Sequence, residues 1–252
     1  MIKPICEKYD VNYVIANVEN AAGGFGITPE MSRKIFTYGV NIQTSGNHIW
    51  DRIDIQDYMK QESRLLRPAN YPNDVPGHGF YVDTIGDFKI GVINLMGRTY
   101  MNDIDCPFRT ASWLLRQISD DVKVIFVDFH AEATSEKQAM FYYLDGQVSA
   151  IIGTHTHVQT ADERISTRGT AYLTDAGMTG PHESIIGMEI GPSLGRFLTG
   201  MPKRFTTASK DIKLSGAIVK IDTESGRAES LERIIIDFNI EDYQNKQKLD
   251  DY

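Results

Sequence analysis

The sequence predicts an α/β sandwich, with two packed β-sheets and helices on their outer faces. Strand-sized apolar runs alternate with amphipathic stretches through most of the 252 residues, and the segment from about 164 to 238 is rich in short β-type runs. The alternation favours parallel strands joined by crossover helices, whereas the later segment favours antiparallel pairs and loops over further crossover helices. Because no stretch has the composition of a linker, we expect a single domain over residues 1–252.

The predicted helices have local signals in the sequence. Thr28-Pro29 places an N-cap before a proline at the first helical position, and Gly39 ends that helix. Further helices are expected at 53–60, from Cys106-Pro107 to about 120, and at 135–144. The helix after Cys106-Pro107 has three apolar residues on one predicted face: Trp113, Leu114 and Ile118.

The predicted strands are apolar runs bounded by polar or turn-forming residues. In the first two thirds of the chain they lie at 11–18, 40–44, 88–95, 122–129 and 148–153. In the β-rich third they lie at 170–174, 216–222 and 230–237. The tail from Glu241 is polar, and we expect it to fray.

Composition argues against several classes of protein. With 26 Lys and Arg against 34 Asp and Glu, the net charge is −8, whereas a long nucleic-acid footprint needs a basic face. No apolar run reaches the length of a membrane span, and the N-terminus lacks the apolar core of a signal peptide. The two cysteines, Cys6 and Cys106, are too few for a disulfide scaffold and lie in no motif, so we expect inert thiols and a cytoplasmic protein.

Polar residues of a particular kind follow the predicted strands: Glu19, Asn20, Asn47, His48, His130, His155 and His157. The carboxyl ends of the strands in an open α/β sheet line one crevice, so we expect these side chains to converge. Imidazole nitrogens, one carboxylate and amide oxygens form a ligand set without thiolate, which suits Mn, Fe or Zn. A lone carboxylate can bridge two cations about 3.5–4 Å apart.

Each signal also has a structural interpretation. A lone histidine at a strand end, such as His130, is more often a hydrogen-bonded structural residue than a ligand. The pair His155 and His157 is a stronger signal, because alternate residues of an extended segment face the same way. His78 lies in a turn-rich loop and is interpreted as a surface residue, and His182 after a Gly-Pro pair stays ambiguous.

Longer strings resemble a known family. GNH at 46–48 and GTHTH at 153–157, with an upstream Glu-Asn and an intervening His, resemble the calcineurin-like dinuclear metallophosphoesterases. Six ordered strings across the chain resemble the bacterial YmdB-like subfamily: NVENAAGGFGIT (17–28), TSGNHIWD (44–51), LLRPANYP (65–72), DFHAEATSEK (128–137), GTHTHVQTAD (153–162) and TDAGMTGP (174–181). This resemblance implies a four-layer αββα sandwich. It also implies a cytoplasmic phosphodiesterase that hydrolyses 2′,3′- and 3′,5′-cyclic nucleotides with two iron or manganese ions.

By position, the resemblance implies a role for each candidate residue. Glu19 would bridge both metals, and His48 would be the general acid that protonates the leaving oxygen. The remaining ligands would form two sets, with Asn20 and His157 on the first metal and Asn47, His130 and His155 on the second. Two cations would also explain how an acidic chain binds an anionic substrate.

The chain departs from the family pattern at its start. Family members begin with a strand that ends in Gly-Asp, and that Asp is the remaining ligand of the first metal. Residues 2–10 resemble the helix that follows this strand, and Asp10 does not match the ligand position. We therefore expect the first strand to be missing and the first metal to bind weakly. We also expect Met1 to be an internal methionine, about twenty residues after the natural start.

Two other functions stay open. The same metals would also suit a phosphomonoesterase or protein phosphatase, and the missing ligand is compatible with a non-catalytic regulatory protein. Iron and manganese accept the same ligands, the base-reading residues are unassigned, and exposed strand edges favour a homo-oligomer. Arg67 and Arg98 are candidates for either phosphate or structural contacts.

Overall fold

The structure, a computed structural model, describes residues 2–238. Within these residues the helices are α1 (Ile2–Tyr9), α2 (Pro29–Thr37), α3 (Ile55–Met59), α4 (Pro107–Leu115), α5 (Thr134–Leu144) and α6 (Ile190–Thr199). The strands are β1 (Ile15–Asn17), β2 (Ile42–Thr44), β3 (Phe80–Ile85), β4 (Phe88–Met96), β5 (Val124–His130), β6 (Ala150–Thr154), β7 (Arg164–Ile165), β8 (Ala171–Leu173), β9 (Gly180–Pro181), β10 (Ile212–Ile221) and β11 (Ala228–Asp237). None of the helices in the described part of the chain is long and apolar enough to span a membrane. The tail predicted from Glu241 lies outside the described residues.

The largest sheet has six strands in the order β3-β4-β5-β6-β8-β7. Strands β4, β5, β6 and β8 run parallel, whereas β3 and β7 pair antiparallel at the two edges. The register places His130 at the end of β5, beside Met96 of β4 and Thr154 of β6. Three adjacent strands therefore end in one row at the carboxyl edge of the sheet.

The layers pack in the order helix, sheet, sheet, helix. One face of the six-stranded sheet packs against α4 and α5, in a core that includes Leu114 and Met140. The other face is covered by two smaller sheets, β1-β2 and β11-β10-β9, through clusters around Ile42 and Ala228. Helices α2 and α3 pack outside β1 and β2, around Ile55. This arrangement confirms the predicted α/β sandwich.

Helix α2 begins where the sequence predicts. Thr28 Oγ1 accepts the backbone N–H of Met31 at 3.3 Å, and Pro29 occupies the first turn. The chain leaves the helix through Gly39, whose φ of +98° lies in the region that glycine adopts without strain. The loop then leads directly into β2, which carries the next candidate ligands.

The β-rich third differs from the expectation of antiparallel pairs and loops. Helix α6 lies within it, and the glycines and proline of its sequence, IGPSLGRFLT, lower helix propensity and conceal the pattern. Strand β8 pairs parallel with β6. The chain between them first runs in the opposite direction as the edge strand β7, which pairs antiparallel with β8. The parallel ladder therefore extends into a region that was expected to be antiparallel.

Two predictions about α4 were also wrong. The helix ends at Leu115 instead of continuing to about Asp120. The side chain of Trp113 is 53% exposed while Leu114 is buried, so these neighbours do not share the core-facing side. Consecutive helical positions lie about 100° apart, which explains why only one of them can face the sheet.

Candidate metal centre

The candidate ligands converge at the carboxyl edge of the strands. Glu19 follows β1, Asn47 follows β2, His130 ends β5, and His155 follows β6. Within the described residues, ligand atoms of Glu19, His130 and His155 all lie within 4.8 Å of one another. The convergence that topology predicts for this edge is therefore present in the structure.

We call Asn47, His130 and His155 the inner group. His130 Nε2 lies 2.9 Å from Asn47 Oδ1 and 3.0 Å from His155 Nδ1. It also lies 3.2 Å from Glu19 Oε1, and the side chains of His130 and Glu19 are almost fully buried. Nitrogen and oxygen atoms with lone pairs thus surround one small volume.

Asn20 and His157 form the outer group. Asn20 Nδ2 lies 3.1 Å from His157 Nε2 and 3.3 Å from Glu19 Oε1. The other ring nitrogen, His157 Nδ1, lies 3.0 Å from the backbone oxygen of Ile186. Glu19 Oε1 therefore contacts both groups, and it is the atom that joins them.

His48 lies beside this cluster rather than in it. Its backbone N–H donates to Glu19 Oε2 at 3.1 Å, and its Nδ1 lies 2.7 Å from Asp51 Oδ2. The edge of the ring packs against Phe25, with the ring centroids 5.4 Å apart. The Asp51 carboxylate leaves Nε2 as the ring nitrogen that can act on another group.

Burial sets the charge of Glu19 and of the two histidines of the inner group. Loss of hydration raises the pKa of the Glu19 carboxyl to about 7, although the His48 backbone N–H opposes the shift. Burial lowers the pKa of His130 well below its ordinary value and also lowers that of His155. Both imidazoles are therefore neutral near pH 7 and keep a lone pair for a ligand bond.

The turn after β6 holds its histidines in an unusual backbone conformation. His155 has φ +108° and His157 has φ +64°, a region that costs a non-glycine residue free energy. Between them, the Thr156 N–H donates to Asp175 Oδ2 at 3.0 Å. The same Asp175 oxygen accepts Lys137 Nζ at 2.7 Å, and both members of this ion pair are buried. The buried ion pair therefore holds the strained turn in place through the hydrogen bond between Asp175 and the Thr156 N–H.

The residues present fit a metal ion. Asn20 Oδ1 is buried and has no hydrogen-bond partner among residues 2–238, which is costly unless another group satisfies it. The neutral histidines, the buried carboxylate and the amide oxygens form the mixed nitrogen and oxygen set that Mn, Fe and Zn accept. Glu19 lies between the inner and outer groups and contacts both through Oε1.

Comparison with known proteins identifies the family. Residues 1–234 match the family described as YmdB-like protein. The chain belongs to the YmdB-like family. This confirms the resemblance carried by the six sequence strings and agrees with the α/β sandwich.

The YmdB-like chain has several named relatives. It is 46% identical over 230 residues to a 2′,3′-cyclic-nucleotide 2′-phosphodiesterase of Bacillus subtilis, covering 91% of this chain and 87% of the relative. A structure of a novel phosphatase from Mycoplasma pneumoniae has 32% identity and a TM-score of 0.87, covering 96% and 89% of the two chains. A hypothetical protein from Thermus thermophilus has 38% identity and a TM-score of 0.88, covering 94% and 91%. Two of these names are those of hydrolases, which confirms the predicted enzyme class.

Sequence reasoning missed several residues around the YmdB-like centre. Asp51 lies in the quoted string TSGNHIWD, three residues after His48, and that spacing was a readable signal. Glu132 Oε2 lies 3.1 Å from His155 Nε2, and Glu132 lies in the quoted string DFHAEATSEK, two residues after His130. Lys137 lies in the first turn of α5, and the sequence gives no sign that its partner is Asp175, which is 38 residues further along the chain.

The remaining candidates have mainly structural environments. Arg67 is buried and donates to the backbone oxygens of Pro68 and Pro76, so the structural interpretation holds for it. His78 is exposed, as predicted. His182 Nδ1 lies 3.1 Å from the Gly180 backbone oxygen.

Proposed function

We propose that this protein is a metal-dependent phosphodiesterase that hydrolyses 2′,3′- and 3′,5′-cyclic nucleotides with two metal ions, iron or manganese. The observation that carries the proposal is the position of Glu19 Oε1, which contacts both the inner and the outer group. A single buried carboxylate between two ligand sets is the arrangement that a two-metal hydrolase needs. The named phosphodiesterase relative supports the choice of substrate.

Each residue has a proposed role in holding the ions. Glu19 would bridge them, Asn20 and His157 would hold the first, and the inner group would hold the second. When bound, the cations would activate a water as nucleophile and offset charge on the phosphoryl oxygens. Their positive charge would also attract an anionic substrate to a chain whose net charge is −8.

His48 is the proposed general acid. Asp51 accepts from Nδ1 and so orients the ring, which leaves Nε2 to donate a proton to the departing ribose oxygen. Because the His48 backbone N–H holds Glu19 Oε2, the acid and the proposed bridging ligand keep a fixed relative position.

The test is hydrolysis of 2′,3′-cyclic AMP and 3′,5′-cyclic AMP in the presence of Mn²⁺. The Glu19→Gln variant is expected to lose turnover while remaining folded, and Glu232→Gln, on the exposed side of β11, serves as the matched control. Equal turnover by the Glu19 variant would overturn the proposal. Absence of turnover by the folded parent chain would also overturn it and would favour the regulatory alternative.

A phosphomonoesterase is the second candidate, because a Mycoplasma relative of similar fold is called a phosphatase. Parallel assays with a nucleoside monophosphate separate the two. Faster hydrolysis of the monoester than of either cyclic nucleotide would favour the second candidate. Cytoplasmic location and self-association stay predictions.

A further inference from the structure

A buried polar network lies directly beneath the inner group. Asp128, inside β5, is 3% exposed and accepts hydrogen bonds from three side chains. Its Oδ2 accepts Thr44 Oγ1 at 2.5 Å and Asn17 Nδ2 at 3.1 Å, and its Oδ1 accepts Thr154 Oγ1 at 2.7 Å. Three donors directed at two oxygens favour the ionised carboxylate, and they oppose the burial that raises the pKa of Asp128.

Thr154 connects this network to a candidate ligand. Its Oγ1 lies 3.0 Å from His130 Nδ1. A hydroxyl has one proton, and here that proton is directed to Asp128 Oδ1. The contact with the ring therefore needs His130 Nδ1 to be the donor and the hydroxyl oxygen to be the acceptor.

The opposite ring nitrogen has surroundings that favour the other tautomer when no metal is bound. His130 Nε2 faces His155 Nδ1 at 3.0 Å and two oxygen acceptors, Asn47 Oδ1 at 2.9 Å and Glu19 Oε1 at 3.2 Å. A proton on Nε2 would satisfy them but would remove the lone pair that a metal needs. The two sides of the ring thus compete for one proton.

We propose that the Asp128–Thr154 pair decides this competition, holding the His130 proton on Nδ1 so that Nε2 is free to bind a metal. Asp128 and Thr154 are then positioning residues that act through His130. The inference rests on the proposed metal site but not on the substrate. Since the tautomer can be read without metal or nucleotide, failure of the phosphodiesterase assay would leave the inference testable.

We expect the Asp128→Asn substitution to reverse the direction of the hydrogen bonds that link residue 128 to Thr154 and Thr154 to His130. The amide oxygen would keep the Oδ2 position, where Thr44 and Asn17 donate, so the amide nitrogen would take the Oδ1 position. It would donate to Thr154 Oγ1, and the Thr154 proton would turn toward His130 Nδ1. The ring proton would then lie on Nε2. A carboxylate-to-amide change that selects the wrong histidine tautomer is a known cause of large losses in other enzymes.

The experiment reads the tautomer in chelator-treated protein with ¹⁵N-labelled histidine. Long-range proton–nitrogen correlations assign the His130 signals, with a His130→Gln sample to identify them. The parent protein and Thr154→Ser, which keeps the hydroxyl, are expected to carry the proton on Nδ1. Thr154→Val, of the same shape but without the hydroxyl, and Asp128→Asn are expected to carry it on Nε2.

Mn²⁺ affinity, measured by calorimetry, gives the second readout. Thr154→Val is expected to weaken the tighter binding step by about 10–100-fold, as for other outer partners of ligand histidines, and Thr154→Ser to restore it. A parent protein with the proton on Nε2 would overturn the inference. So would a Thr154→Val protein that keeps both the Nδ1 proton and the parent affinity. If Asp128→Asn does not fold, the two Thr154 variants decide the question.

Discussion

The inner and outer groups share one carboxylate but are held in different ways. In the inner group, the ring of His130 is fixed at both nitrogens, by Thr154 on one side and by Asn47 on the other. In the outer group, the ring of His157 also has a contact at each nitrogen, with Asn20 Nδ2 and with the backbone oxygen of Ile186, but Ile186 is 54% exposed. The Asn20 oxygen in the outer group has no partner among the described residues.

This difference indicates how rigidly the side chains of each ligand set are held before an ion binds. A site whose side chains are already fixed by their neighbours loses little conformational entropy on binding. We therefore expect the inner group to bind its ion more tightly than the outer group. Unequal affinity was also expected from the sequence, and here it follows from contacts among the described residues alone.

The largest expected effect comes from removing one histidine from each group. His130→Ala should weaken the tighter Mn²⁺ step by more than about 100-fold, because losing a ligand costs more than losing its outer partner. His157→Ala should weaken only the second step. Calorimetric titration checks both, after thermal unfolding shows that the variants fold. Equal effects on both steps would contradict the distinction between the groups.

A smaller effect is expected from crowding the inner group. A Cβ on Gly46 would lie 2.2 Å from the Nε2 and Cδ2 atoms of His130, so the ring must move. Gly46→Ala should weaken the tighter Mn²⁺ step by about tenfold or more, since the ligand geometry is displaced. In the matched control Gly91→Ala, the new Cβ has only ordinary contacts from 3.5 Å, and the same titration should show little change.

The contact between His48 and Asp51 predicts an effect on chemistry rather than on binding. Asp51→Asn should lower kcat for 2′,3′-cyclic AMP by about tenfold, because Nδ1 loses the carboxylate that accepts its proton and orients the ring. Hydrolysis of bis-p-nitrophenyl phosphate, whose leaving group needs no proton, should change much less. Asp54→Asn, at an exposed position in the same loop, is the control. Equal losses on both substrates would exclude the proposed acid.

The smallest expected effect is the number of protons that the protein releases when the metal binds. The pKa of Glu19 is raised from 4.5 to about 7 in the folded chain, so its contribution to stability is present below 4.5 and is lost as pH rises through 7. A metal ion needs the carboxylate, so binding should release about 0.9 proton at pH 6 and about 0.1 at pH 8. Calorimetry in buffers of different ionisation enthalpy measures this release. Release during the tighter step would assign the Glu19 proton to the inner ion, and a Glu19→Gln protein that releases as much would contradict the assignment.

The sequence predicted the parts of the fold that depend on alternation and strand ends. His130 and His155 lie at the carboxyl ends of β5 and β6 in the six-stranded sheet, and Glu19 follows β1 of the facing sheet, so strand ends from two sheets bring the three residues together. Helix α6 was missed because glycine and proline weaken its local signal, and β3 because Asp83 interrupts its apolar and β-branched run, FYVDTI. Tertiary packing, which local patterns do not report, stabilises both.

The supporting residues of the site were harder to predict, since their role depends on contacts made in three dimensions. Asp128 interrupts the apolar sequence of β5, VIFVDFH, and a charge in a buried strand needs partners. That signal was readable, but its partners, Thr44 and Thr154, lie 84 and 26 residues away along the chain. The strained φ angles of His155 and His157 have no counterpart in the sequence, where the pair is typical of an extended segment.

The long sequence separations at the carboxyl edge also order the events of folding. Asn17 meets Asp128 across 111 residues, and Asn20 meets His157 across 137. We expect contacts of this kind to form late in folding, because they need long loops to close first. An ion that binds this edge therefore stabilises the finished fold rather than its folding nucleus. Its main kinetic consequence is slower unfolding, with the rate of refolding nearly unchanged.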